Sequence, residues 1–344
     1  MARAIYHSAR KAAVRYRYPP LKIPITTRSA GSTVFMLCPD YDIPSGGIRV
    51  QYRHVDILNE AGIDATILHQ RKGFRCSWFD NTTRVTDIRS AAVGPDDILV
   101  LSELDLNQLA RLNQHVRHIV LNQNGHLTWT RGVEIVAHHY ATAADLLGVI
   151  VVSEHSAQML SHAYPHRTIR SVRNGIDDAL FHPGNQSPQR RITYAPRRGQ
   201  QEITQVLYLL RDRLAGWEVV SLDGLRQTEF AAGLRSSRIT LCLSYQEGFG
   251  LPAAEAMACG NYVIGFDGFG GREFWRPEFS CPVETGDVLA VAEAVERAIA
   301  EDSADESWCI SRGELASAFV LDAYSRKREL ESVRAAYADL LAIG

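Results

Sequence analysis

Cysteines placed to work in pairs are missing from this sequence. Six are scattered along 344 residues, and no two stand in the C-x-x-C spacing of a zinc or dithiol site. That usage fits reduced thiols in a cytoplasmic chain rather than a disulfide frame. Long apolar runs are missing too: the longest, residues 146–152, is far too short to cross a bilayer. The amino-terminal segment shows no secretory hydrophobic region, and no internal repeat is visible. The formal net charge is -2, so the total points to no polyanionic partner. Metal-ligand spacing is also absent. His138-His139 lacks the H-E-x-x-H arrangement and reads as structural. Asp40-x-Asp42 and Glu103-x-Asp105 look like acidic metal pairs, but the sequence offers neither a third ligand.

Acids are absent from the start of the chain, where the first is Asp40. Arg3, Arg10, Lys11, Arg15, Arg17, Lys22 and Arg28 all precede it. Ile5, Tyr6, Ala9, Ala13 and Tyr16 make a weak apolar face for a helix that Pro19-Pro20 would end. Such a segment can lie on an anionic membrane surface, contact nucleic acid, or stay solvated by self-repulsion. Residues 1–30 are therefore set apart as a basic arm. An anionic membrane surface met through residues 1–28 ranks ahead of nucleic acid as its partner.

What is present suits two domains of ordinary size. Strand-type runs at 33–38 and 65–68 flank a helix with Ile48, Tyr52, Val55 and Leu58 in phase, which Gly62 ends. Strand–helix–strand units of this length build parallel sheets, whose ligands sit at the carboxyl ends of strands. Gly46-Gly47 lies at one such end, with Arg49 just beyond; a flexible turn explains the glycines equally well. Further strands are expected at 97–101 and 118–121, with a helix over 104–113 between them. The loop 122–129, NQNGHLTW, brings His126 to another carboxyl end, to serve a ligand or to bond backbone.

A strand at 147–152, a helix at 154–163 and a strand at 168–172 lead into Arg173-Asn174-Gly175-Ile176-Asp177, where Asn-Gly makes a tight turn. Residues 178–189, with two prolines and a glycine, read as a linker. A strand at 191–195 then runs into Pro196-Arg197-Arg198-Gly199. Ile203, Val206, Leu207, Leu210 and Leu214 follow in helical phase. Arginines at a strand's carboxyl end suit a diphosphate, which guanidinium pairs bidentately; solvated loop arginines are the plain alternative. A strand at 217–222 precedes Asp223-Gly224-Leu225, a weak candidate for contact with a base. Helices are expected at 227–236, 288–300 and 311–319. In the last helix Leu330, Val333, Tyr337 and Leu340 are in phase.

The chain is organised around residues 238–273. A strand over 239–243 enters Glu247-Gly248-Phe249-Gly250-Leu251. Pro252 suits the first turn of a helix, and Gly260 is placed to stop it. A strand over 262–266 follows, then Gly270, Gly271 and Glu273. Free amides at a helix N-terminus bind anions, so this is a candidate phosphate cradle with a carboxylate at each end, Glu247 and Glu255. A second reading is possible. Gly248-x-Gly250-x-x-Ala253 after a strand, with Asp267 further on, also fits a nicotinamide-dinucleotide fingerprint.

EGFGLPAAE, with seven residues between Glu247 and Glu255, resembles the E-x7-E signature of retaining glycosyltransferases of the GT-B fold, family 4 above all. AAEAMACG, the GG-x-E of Gly270 to Glu273, and N-G-I-D at the passage between domains are similar to that group as well. The resemblance implies an α/β fold of two Rossmann-like domains facing a cleft, with the C-terminal helix crossing back to the first. The domains would be 31–177, completed by helix 322–344, and 190–321, joined by the linker 178–189. It implies a retaining, metal-independent transfer with no cofactor. The donor would be a nucleoside-diphosphate sugar, and the acceptor a glycan, lipid-linked glycan or other hydroxyl. Surface polysaccharide or lipid-linked glycan synthesis is the group's commonest role. By the same resemblance Glu247, His126 and Arg197 are the catalytic residues. Gly46, Gly47, Arg197, Arg198, Gly248, Phe249, Gly250, Leu251 and Glu255 hold the donor. Arg198 stands where the family has lysine. An oxidoreductase and a catalytically silent sugar-nucleotide binder are the alternatives.

Overall fold

The computed structural model describes residues 23–27, 31–105, 116–130, 133–196 and 199–342. Most of the basic arm, most of the helix expected at 104–113, and Arg197 and Arg198 lie outside the described residues.

The first sheet has seven strands, in the order β3-β2-β1-β4-β5-β6-β7. They are β1 Val34–Leu37, β2 Ala65–His69, β3 Val85–Asp87, β4 Ile98–Ser102, β5 His118–Asn122, β6 Leu146–Val151 and β7 Ile169–Ser171. All pairs are parallel. Helices α1 (Gly46–Glu60), α2 (Val133–Thr142) and α3 (Glu154–Ala163) are its crossovers among the described residues. The central strands read as unbroken apolar runs because both faces are covered. Alternate β1 side chains feed different cores: Val34 and Met36 join one cluster, Phe35 and Leu37 the other.

The second sheet is also parallel, ordered β12-β11-β10-β8-β9. Its strands are β8 Gln189–Tyr194, β9 Glu218–Ser221, β10 Ser237–Cys242, β11 Tyr262–Phe266 and β12 Ser280–Val283. Helices α4 (Gln200–Leu210), α5 (Gln227–Arg235), α6 (Leu251–Ala258), α7 (Val288–Ala304) and α8 (Trp308–Ala323) follow in chain order. Strand order reverses between β1 and β4 in one sheet and between β8 and β10 in the other. Crevices open at the carboxyl ends of strands at such switch points.

The last helix, α9 (Arg326–Leu341), returns to the first sheet. Arg53 of α1 pairs with Glu329 at 3.1 Å, Arg170 with Asp339 at 2.8 Å, and the buried ring of His54 meets Tyr337 Oη at 3.4 Å. One apolar cluster runs from β1 through Ile176, Phe181, Phe249 and Tyr324 to Tyr337, tying the two sheets together.

Three elements exceed the sequence reading. Strands β3 and β12 are short sheet edges with little apolar content to announce them. Helix α2 carries His139, whose Nε2 lies 2.9 Å from that of His118, so His139 marks a packed face while His138 is exposed.

Candidate active site

Two helix N-termini converge at the switch points. Helix α1 begins at Gly46 behind Ser45, and α6 begins at Leu251-Pro252 behind Gly250. Neither has a side-chain cap or an acid in its first turn, so both leave amide donors to another partner. They nearly touch: a β-carbon on Gly46 would stand 2.8 Å from Leu251 Cδ1. The meeting point therefore carries the positive ends of two helix dipoles, which favour an anion.

Glu255 lies one turn inside α6 rather than at its entry, because the helix already starts at Leu251. It is buried, and its Oε1 pairs with Arg49 Nη2 of α1 at 2.5 Å. Burial raises the Glu255 pKa, while the Arg49 charge and hydrogen bond oppose that rise. Glu247 sits at the other end of the loop, half-buried, its amide donating to Gly268 O at 2.9 Å. It bridges Phe269, a residue at φ 67.

The loop after β5 meets this loop from the other domain. A β-carbon on Gly248 would fall 1.6 Å from Gln123 O, so only glycine allows the approach. Asn124 Nδ2 donates to Gln246 O at 3.1 Å, and Gln123 Nε2 to Gly47 O at 3.1 Å. Under the loop lies buried Glu103, which accepts the Gln123 amide at 3.0 Å; burial pushes its pKa up to about 7.

His126 sits in the 3-10 turn Gly125–Leu127, its amide held by Asn124 Oδ1 at 3.1 Å. Its ring stacks on His155 of α3 at 5.1 Å, and both rings pack on Phe269, at 5.1 and 5.3 Å. Arg272 lies over the Phe269 ring at 4.6 Å. Burial first, then His155 and Arg272, lowers the His126 pKa; burial and Arg272 lower that of His155 against the opposing pull of Asp267. Glu273 completes the seam: it accepts the Glu154 amide at 2.9 Å and the Tyr324 hydroxyl at 3.0 Å.

The structure thus brings Gly46, Gly47, His126, Glu247, Gly248, Gly250, Leu251 and Glu255 together where the domains meet, while the Phe249 ring is buried in the core against Phe274 and Tyr324. Arg197 and Arg198 lie outside the described residues, though Gly199 beside them abuts the Leu243 carbonyl in the β10 loop. Sequence reasoning missed His155 and Phe269, and read Glu103 only as half of an acidic pair. His155 and Glu103 each follow a strand's carboxyl end, the positional signal that singled out His126. Among the described residues no group of three or more His, Cys, Asp or Glu side chains is placed to hold a metal ion.

Several solved structures share this architecture. Sucrose-phosphate synthase from Thermosynechococcus elongatus matches with a TM-score of 0.71 at 15% identity, over 91% of this chain and 100% of that one. S. aureus TarM, in a complex with UDP, matches at 0.70 and 11% identity, over 90% of this chain and 99% of that one. Residues 200–312 match the family model described as Glycosyl transferases group 1. The alpha-1,6-glucosyltransferase of Actinobacillus pleuropneumoniae is 25% identical over 248 residues, 65% of this chain and 70% of that protein. The lipopolysaccharide core biosynthesis mannosyltransferase LpcC of Rhizobium leguminosarum bv. viciae is 28% identical over 237 residues, 56% of this chain and 64% of that protein. This chain is a glycosyltransferase with the GT-B fold.

In this glycosyltransferase the matched segment runs from α4 into α8 and contains both glutamates and the 267–273 loop. The dinucleotide reading of Gly248-x-Gly250 gives way to the topology. The fingerprint belongs after the first strand of a βαβ unit, whereas these glycines follow β10, the third strand of their domain.

Proposed function

We propose that this glycosyltransferase is a retaining, metal-independent, family 4-like enzyme. It moves a hexosyl or related sugar from a nucleoside diphosphate to a hydroxyl on a glycan or lipid-linked glycan. The observation that carries this is the convergence of two uncapped helix N-termini between Glu247 and Glu255. The hard step is departure of the diphosphate from an oxocarbenium-like centre. Amides of α1 and of residues 249–251 face the charge that develops on the leaving group, and fixed donors aimed at developing charge lower the barrier. Arg197 and Arg198, which lie outside the described residues, are proposed from the sequence as further cations for the diphosphate. These groups neutralise the diphosphate as a divalent metal does in other enzymes. Glu247 takes the sugar hydroxyls and Glu255 the ribose hydroxyls. His126, its pKa lowered by burial and its ring packed on Phe269, lies toward the sugar. Relatives named as a glucosyltransferase and a mannosyltransferase support a hexosyl donor.

The test is a panel of UDP-, GDP-, ADP- and dTDP-hexoses, with the anomeric form of the first product read by NMR. One donor should turn over with configuration kept and with rates unchanged by EDTA. An inverted product, or activity lost to EDTA and restored by manganese, contradicts the mechanism.

The reading extends to a cytoplasmic enzyme whose arm, residues 1–28, rests on an anionic membrane surface. Its seven cations before Asp40 motivate this. Deleting the arm should leave donor hydrolysis intact and weaken binding to phosphatidylserine vesicles in a salt-dependent way. Unchanged vesicle binding would make it a plain tail.

A further inference from the structure

Arg49 is the one cation of the first domain that reaches a signature glutamate of the second among the described ion pairs. Its guanidinium comes from the opening turn of α1 and takes a single oxygen of Glu255, Oε1, at 2.5 Å. The Arg49 side chain is 23% exposed and that of Glu255 8%, so the pair is largely shielded from solvent. A carboxylate this buried stays charged only beside an opposite charge or strong donors. The other charged and titratable groups facing it do not supply one. Asp177, on the passage between domains, is an acid and is itself engaged by Arg326 of α9. Cys259 is a thiol on the same helix, faced by Arg235 of α5.

We infer that Arg49 is a positioning residue for the donor: from the opposite domain it holds Glu255 ionised and fixes its second oxygen toward the cleft, so the ribose subsite is complete only when the domains are together. This rests on the reading that Glu255 binds the ribose hydroxyls. Arg49 touches no reacting atom. It couples domain closure to donor recognition through one ion pair. Lysine at this position would keep the charge but lose the fixed orientation of a planar guanidinium.

The experiment compares UDP, GDP and ADP with their 2′,3′-dideoxy counterparts by calorimetry on the full-length chain, from about pH 8 to about pH 6. The wild type should bind the best of the three at least about tenfold more tightly than its dideoxy form, the loss expected for one charge-assisted bond. In Arg49→Ala that preference should shrink toward unity as pH falls, because burial then favours the protonated Glu255. Arg49→Lys should restore most of it at about pH 8. In a Glu255→Gln background, Arg49→Ala should change the preference no further; this arm guards against a general loss of fold, together with thermal melts of each variant. If the wild type ignores the ribose hydroxyls, the assignment of Glu255 falls and the inference with it. If the wild type discriminates and folded Arg49→Ala keeps the same preference at every pH, Glu255 stands and the role of Arg49 is overturned.

Discussion

Glu247 and Glu255 flank one glycine loop and hold different positions. Glu247 leads the loop beside Phe269, while Glu255 is buried in α6. The ribose contact proposed for Glu255 would be made in the ground state and the transition state alike, so Glu255→Gln should raise donor KM, by ~1–3 kcal/mol in binding. Glu247→Gln should lower kcat more than it raises donor KM, because a sugar contact near the anomeric carbon strengthens as charge develops there. Steady-state kinetics with the donor that turns over checks both, and the reverse pattern exchanges the roles. Thermal melts come first, since Glu255 is a core residue whose loss leaves Arg49 without its partner. The placement of both glutamates around one glycine loop was legible because a signature names residues close in sequence. Arg49 as the partner of Glu255 was not, since 206 positions separate them and only the fold brings α1 to α6. Phe269 was equally hidden: nothing in a glycine-rich stretch says that an aromatic will adopt φ 67 to receive two histidines.

At the scale of elements, the long apolar strands and in-phase helices could be read because one face or both is buried in a core. Short edges such as β3 and β12 could not, since few of their side chains face a core. Helix α9 was legible as a helix, and its docking rests on side chains of α1 and on Arg170 of β7. His54 is fully buried against Tyr337, and burial, reinforced by the Arg53 charge, pushes its pKa down to about 3. The folded chain then binds fewer protons than the unfolded one, so stability rises with pH. The contribution is complete above the unfolded pKa of ~6.5 and is lost as pH falls below it, by about 2 kcal/mol near pH ~5. Burial and His118 likewise push His139 down to about 4, so part of the acid sensitivity belongs to the first sheet. His54→Gln should therefore flatten the fall in melting temperature from about pH 7 to about pH 5 without abolishing it. Identical slopes for variant and wild type would remove His54 from the account.

For the whole molecule, the two sheets meet at the carboxyl ends of their strands, and the cross-domain contacts among the described residues come from the loops and helices that follow those ends. Arg49 reaches Glu255, Asn124 reaches Gln246, Glu273 caps the Glu154 amide, and Gly248 packs on the Gln123 carbonyl. Two switch points set face to face leave a space polarised for an anion, which is the ground for proposing that the donor's diphosphate binds there. A crystal structure of the full-length chain with the nucleoside diphosphate of its working donor tests that placement most directly. The account predicts phosphate oxygens within hydrogen-bonding reach of the backbone amides at Gly46, Gly47 and residues 249–251, with the ribose hydroxyls on Glu255. A diphosphate bound away from both helix N-termini, or a ribose that does not touch Glu255, would contradict it.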